Sequence, residues 1–240
     1  TYYCFVPSTA YENSSPAFDG VPSPYMCAND TTSFLFNAVD RDGDSLAYRF
    51  MRPFQGGSNG TPIPVPAANL DTTPYVSYRP GYSFLQPFGT AGYISIDNQT
   101  AYTQFLATET GNYVVGVEVL EYRDGEFIGK IRMDLQIVVL NCPDNERPEI
   151  SSDKGNRFEI EEGEELCFTV RTSDPDGDRV FLSGKGRLFG QGGGIPGESV
   201  TFRDTTGKPT VSQEFCWTPS CDAARSLPYI VYFETRDDGC

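Results

Sequence analysis

The residues best suited to chemistry form a cluster that the chain writes twice. Asp40-Arg41-Asp42-Gly43-Asp44 and Asp174-Pro175-Asp176-Gly177-Asp178 both read D-x-D-G-D. Three carboxylates in five residues repel one another unless a cation or solvent offsets them, and the glycine allows a sharp turn between them. Oxygen ligands at alternate positions suit a hard cation, above all Ca²⁺. Neither copy is an EF-hand: that loop needs a Glu at its twelfth position, where the two copies have Met51 and Lys185. The expectation is a Ca²⁺ site at each turn, with Asp40, Asp42 and Asp44 as ligands in the first and Asp174, Asp176 and Asp178 in the second. Linker acids such as Asp144 and Glu146 could extend the second site to the linker, against the simpler reading that they are solvated. The competing reading is a solvated acidic turn between two strands.

Other chemistry is restricted by composition. The chain has no histidine, which removes the commonest general base, Ser-His and Cys-His nucleophile pairs and imidazole zinc sites. Two carboxylates for glycoside hydrolysis would most readily be Glu118 and Glu121, but three residues apart on a strand they point to opposite faces. A non-catalytic role follows. Loop aromatics at Tyr75, Tyr82, Phe84 and Phe88 have the chemistry to stack on sugar rings, which keeps a carbohydrate-binding module as the alternative. The simpler expectation is that they fill the core beneath a long loop. The glycine-rich stretch Gly190–Gly197 has neither the Walker nor the dinucleotide-binding spacing.

Asp and Glu number 33 against 18 Lys and Arg, a net charge of −15. Phosphate binding needs clustered Lys and Arg, so a nucleic-acid partner is disfavoured. Seven cysteines without a C-x-x-C pair read as disulfides made in an oxidising compartment. The odd count leaves a free thiol or a partner elsewhere. Pairs Cys167–Cys216 and Cys221–Cys240 are expected, leaving Cys4, Cys27 and Cys142 in the first half. No signal peptide, starting Met or membrane-spanning run is present. The expectation is an excised piece of a longer extracellular chain.

The elements that position these residues are strands. Gly and Pro total 24 and 18, which favours turns and short strands over helices. Residues 1–30 read as an extended, disulfide-tethered lead-in. Strands are expected at Thr31–Val39, Leu46–Met51, Pro74–Arg79 and Gly92–Ile96, with a Pro-rich surface loop at Pro53–Ala68. Asn112–Leu140 reads as a long hairpin turning at Asp124-Gly125: Tyr113, Val115, Val117 and Val119 alternate on one arm, and Ile131, Met133, Leu135, Ile137 and Val139 on the other. Glu118, Lys130, Arg132 and Asp134 fall on the opposite face, which is expected to be wet. Asn141–Pro148 breaks the pattern, giving domains at 1–143 and 144–240. In the second, strands are expected at Arg157–Glu161, Leu166–Thr172, Arg179–Ser183, Glu198–Arg203, Val211–Trp217 and Pro228–Arg236. The core should hold Phe34, Phe36, Val115, Val117, Met133, Leu135, Ile137, Phe168, Val170, Trp217, Val231 and Phe233. The fold class is all-β: two tandem antiparallel β-sandwich domains, the second near the size of an immunoglobulin domain. Four N-x-S/T sites, at Asn13, Asn29, Asn59 and Asn98, mark polar loops.

The acidic turns resemble those of cadherin-like and related immunoglobulin-like repeats, PKD-type modules among them. Asp144-Asn145-Glu146-Arg147-Pro148 is similar to the acidic, proline-ended junction that shares Ca²⁺ between cadherin neighbours. A second resemblance runs along nearly the whole chain: Ser14-Ser15-Pro16, Asp40 to Leu46, Tyr78 to Ser83, Val115 to Gly125, Phe215 to Cys221, Pro228-Tyr229 and Asp237 to Cys240. In that order they resemble the large repeat-bearing surface proteins of gliding Bacteroidota, the SprB-like gliding adhesins. That family often has Cys where this chain has Glu118. The resemblance implies export by the type IX system, the exterior of the outer membrane as location, and a role in gliding motility and surface attachment. The partners it implies are neighbouring domains, extracellular glycans or surfaces, and the gliding machinery.

Overall fold

The computed structural model describes residues 2–5, 12–55, 74–190, 194–195, 197–225 and 228–238. The chain divides into two compact units, Thr1–Asn141 and Cys142–Cys240. Each is all-β, with short 3₁₀ turns at Arg187–Phe189 and Cys221–Ala223 among the described residues of the second unit. No helix among the described residues is long and apolar enough to cross a membrane.

The first unit is organised by the hairpin of β9 (Gly111–Arg123) and β10 (Glu126–Leu140). Its two-residue turn has positive φ at both Asp124 (53°) and Gly125 (81°), the backbone that matches the twist of the flanking strands. β1 (Tyr2–Phe5) and β3 (Tyr25–Cys27) pair with β10, and β6 (Ser45–Met51) pairs with β9. A second sheet of β4 (Thr31–Leu35), β8 (Tyr102–Leu106) and β7 (Tyr93–Ile96), in that order, supplies Phe34 and Phe105 to the shared core. There they meet Val115, Val117, Met133 and Ile137. A small pair, β2 (Ala17–Phe18) with β5 (Ala38–Val39), completes the unit.

The second unit has β11 (Glu149–Ser152), β12 (Leu166–Ser173) and β15 (Thr210–Trp217) in one sheet. The other holds β14 (Thr205–Gly207), β13 (Val180–Lys185) and β16 (Tyr232–Asp237). Between them Phe168, Phe215 and Phe233 pack edge-to-face and tilted, with centroids 4.9–5.8 Å apart, an arrangement aromatic quadrupoles favour. Cys167 and Cys216 are directly opposite across β12 and β15 and form a disulfide, as the sequence led us to expect.

Several expectations need correction. The lead-in is not outside the core: β3 joins the main sheet and Met26 is buried. Thr31–Val39 is two strands in two different sheets, because Phe36 and Asn37 leave the first to enter the second. Pro74–Arg79 and Glu198–Arg203 contribute only the isolated bridges Phe54–Tyr75 and Val200–Trp217, and Arg157–Glu161 has no strand. The wet face of the hairpin is covered in part, since Glu118 and Arg132 are buried there against ion-pair and aromatic partners. Val231 and Phe233 are half-buried. Cys221 carries a free, exposed thiol rather than a bridge, while Cys27 and Cys142 are disulfide-bonded and Cys4 is free. Cys240, Asn59, most of the Pro53–Ala68 loop and half of the Gly190–Gly197 loop lie outside the described residues.

Candidate metal centres at the two acidic turns

Each D-x-D-G-D segment closes on itself in the same way. The Asp44 amide donates to Asp40 Oδ1 at 2.9 Å, and the Asp178 amide donates to Asp174 Oδ1 at 2.8 Å. Gly43 and Gly177 take φ of 84° and 85°, a left-handed backbone that glycine adopts without strain. The first aspartate of each turn is buried, Asp40 at 4% and Asp174 at 6% exposure. The middle ones, Asp42 and Asp176, are exposed.

The segment before β2 in the first unit and before β11 in the second docks on its unit's turn by matching contacts. The Ser14 amide donates to Asp42 Oδ2 and the Glu146 amide to Asp176 Oδ2, both at 2.5 Å. Two residues later comes Pro16 or Pro148. The next residue pairs with the one just ahead of the turn: Ala17 opposite Val39, Glu149 opposite Ser173. The motif N-x-x-P thus recurs at Asn13–Pro16 and Asn145–Pro148.

Strand register brings in one more acid per unit. Leu46 and Val180, each two residues past its turn, lie opposite Glu121 and Asp237. Asn13 Nδ2 donates to Glu121 Oε1 at 2.7 Å, and Asn145 Nδ2 to Asp237 Oδ2 at 3.1 Å. The sequence alone assigns neither the asparagines nor the acids to the turns: there Glu121 reads only as a catalytic carboxylate and Asn13 only as an N-x-S/T site. The repeated N-x-x-P was the available signal for the asparagines. The acids are set by pairing across more than fifty residues and leave no local signature.

In the first unit Asp40, Asp42 and Asp44 bring carboxylate oxygens within 4.8 Å of one another. The second triplet forms no such group among the described residues. Asp144 is exposed, two residues before Glu146. Arg123 donates to Asp44 at 2.6 and 2.8 Å, stands 3.6 Å from Asp42, and donates to Asn13 Oδ1 at 2.8 Å. Those acids push its pKa up. In sequence, the position two beyond Asp237 is Gly239 rather than an arginine.

Three oxygens in these turns have no hydrogen-bond partner among the described residues: Asp40 Oδ2 and Glu121 Oε2 in the first, Asp174 Oδ2 in the second. Burying a carboxylate oxygen without a hydrogen bond is costly. Burial, opposed by the Asn13 hydrogen bond and reinforced by the charges of Asp40 and Asp44, pushes Glu121 up to about 7. Burial, and then the charges of Asp44 and Asp42, raise Asp40 as well. An all-oxygen set that is partly buried, with unpartnered carboxylate oxygens at Asp40, Glu121 and Asp174, matches what a hard divalent cation requires.

No family model matches the chain, and no curated protein does. Among solved structures, the chain is similar to the fibronectin(III)-like modules of CbhA from Clostridium thermocellum, at 14% identity over 94% of this chain and 87% of that one, with a TM-score of 0.25. It is also similar to the two tandem V-type regions of VCBP3, a v-region-containing chitin binding protein, at 12% identity over 85% of this chain and 98% of that one, with a TM-score of 0.23.

Proposed function

We propose that the chain is a non-catalytic extracellular module of a large cell-surface adhesin, two immunoglobulin-like β-sandwich units whose acidic turns hold Ca²⁺. The observation that carries this reading is the doubled constellation of turn, docked N-x-x-P segment and cross-strand acid, with a buried unpartnered aspartate oxygen in each copy. Asp40, Asp42, Asp44 and Glu121 would hold one ion. Asp174, Asp176, Asp178 and Asp237 would hold the other, with Asp144 on the adjoining segment. Bound Ca²⁺ supplies positive charge where carboxylates are packed together. Because the lead-in of each unit docks on the same turn, the ion stiffens that junction and stabilises the fold by mass action.

The Cys167–Cys216 bridge supports an oxidising, extracellular setting. The resemblance to SprB-like adhesins supports a type IX-exported surface protein acting in gliding and attachment, its partners being neighbouring domains, the gliding machinery and extracellular glycans. Against catalysis, Glu118 and Glu121 are committed separately. Glu118 pairs with Arg49 and Lys130, whereas Glu121 accepts from Asn13 beside the acidic turn.

The test is a melting curve in EDTA and again after Ca²⁺ is restored. Chelation is expected to lower Tm by several degrees and Ca²⁺ to restore it. An unchanged Tm would remove the cation from this reading.

A further inference from the structure

The covered side of the β6–β9–β10 sheet carries a second constellation, independent of the acidic turns. Arg49, Glu118 and Arg132 lie in one row across the three strands, since Glu118 is opposite both arginines. Lys130 joins from the same face, its Nζ 3.1 Å from Glu118 Oε1. Arg49 makes a charge-assisted pair with the other Glu118 oxygen, yet its side chain stays 58% exposed. Burial opposes the charge on Glu118, but Arg49 and Lys130 hold its pKa below the usual range.

Beside this row is a stack. The Arg132 guanidinium sits 3.9 Å from the Phe54 ring centre, Phe54 stacks on Tyr75 at 5.1 Å and 18°, and Arg52 stands 5.6 Å from the Tyr75 ring. Arg132 is itself buried at 4% and ties the stack down by donating to the Arg52 carbonyl at 2.7 Å. Tyr75, braced from below, remains 43% exposed. Arg49, Arg52, Lys130, Glu118, Arg132 and Tyr75 together line an open recess of about 440 Å³, the scale of a small-ligand site.

Four of the chain's 18 basic residues converge there against one lining carboxylate, in a molecule of net charge −15. We propose that this recess binds an acidic saccharide, its carboxylate or sulfate group held by Arg49, Arg52 and Lys130 and its ring packed against Tyr75. Guanidinium groups bind planar anions through paired donors. The exposed aromatic surface adds the apolar contact that the C–H face of a sugar offers. An acidic peptide supplies the charge but not that face. An adhesive module with such a recess attaches to anionic polysaccharide rather than to neutral glycan.

The experiment is calorimetric titration of the whole chain, in EDTA so that the polymer cannot act through Ca²⁺. The probes are oligogalacturonate, the same oligomer with its carboxyl groups reduced, dextran sulfate and polyglutamate. Oligogalacturonate, dextran sulfate or both are expected to bind, and which does so identifies the anion. Reduced oligomer and polyglutamate are expected to bind at least about tenfold more weakly, the loss of roughly one charge-assisted hydrogen bond. Arg52→Ala, at an exposed position that leaves the Glu118 pairs intact, should cost a similar factor without lowering Tm, and Tyr75→Ala should weaken saccharide binding alone. Equal binding of the reduced oligomer, equal binding of polyglutamate, or no binding of either anionic polymer at millimolar concentration overturns the proposal.

Discussion

Glu121 and Asp237 hold the same station in two different units. Each lies across the sheet from the second residue after an acidic turn, and each receives a side-chain amide from the asparagine of an N-x-x-P segment. They differ in surroundings: Glu121 is wholly buried, while Asp237 is half-exposed. The first station is therefore the more expensive one to leave charged without a cation.

That difference fixes a first prediction. Glu121→Gln keeps the shape and the Asn13 contact of the side chain but removes its charge. In EDTA this variant should melt above the parent, because a buried carboxylate repelled by Asp40 and Asp44 has been neutralised. In saturating Ca²⁺ the order should reverse, as the variant has lost a ligand. Calorimetry under both conditions checks it, and a variant that melts below the parent in both would show that Glu121 is merely structural.

A second prediction concerns pH. Folding raises Glu121 from 4.5 to about 7, so between those values the folded chain binds more protons than the unfolded one. Stability from this group is complete below the unfolded value and is lost as pH rises through the folded value. The loss amounts to roughly 3 kcal/mol at full ionisation. Burial and its neighbours shift Asp40 in the same direction. In EDTA, Tm should therefore fall as pH rises from about 5 to about 8, and Ca²⁺ should abolish the fall. Glu121→Gln should flatten the curve.

Arg123 gives a third. It offsets Asp44 and Asp42 from within the protein, and the matching sequence position of the second unit is Gly239. Arg123→Ala should leave the first turn dependent on external cation: a larger Tm drop in EDTA than the parent shows, and tighter Ca²⁺ binding by titration. Asp174→Asn, at the second turn, should reduce the number of bound ions without changing the affinity of the first site.

The acidic turns were legible because D-x-D-G-D is contiguous, and the hairpin was legible because its alternation runs for more than twenty residues. What escaped was short or distant. β8, with Tyr102 and Phe105, reads as two-residue alternation over only five positions, too brief to separate from loop. β11 is exposed at every residue, so no hydrophobic pattern marks it; pairing with β12 makes it a strand. Glu118 and Arg132 looked like solvent-facing residues by period, but Pro53, Phe54 and Tyr75 return over that face, and nothing local to the hairpin encodes their return. Cys167 and Cys216 could be paired from the sequence because both sit in strong strands of the second unit, whereas Cys221 sits in a 3₁₀ turn hydrogen-bonded to Glu162.

The disulfide bears on stability apart from any ion. Cys167–Cys216 closes a loop of 49 residues and so removes unfolded-state entropy of about 4 kcal/mol on the chain-entropy model. Replacing both cysteines with alanine should lower the stability of the second unit by up to that amount. The first unit should keep its own transition, because its core at Val117, Met133 and Phe105 contains neither cysteine. Denaturation followed by calorimetry should then resolve two transitions where only the later-chain unit has moved; a shift of both would show that the units unfold together.

Gly116 offers the sharpest test of how the saccharide recess is built. A Cβ there would stand 2.8 Å from the Met51 carbonyl oxygen and 3.1 Å from Asp134 Oδ1. The close approach lets the segment after β6 fold back over the hairpin, carrying Pro53 and Phe54 onto Arg132. Gly116→Ala should push that segment away at a cost of about 1–3 kcal/mol. The loss in acidic-saccharide affinity should exceed what the small fall in Tm accounts for, because Tyr75 loses its brace while Arg49 and Lys130 stay in place. Ca²⁺ titration of the same variant should be unchanged, since Gly116 is remote in register from Glu121 and the turn at Asp40–Asp44.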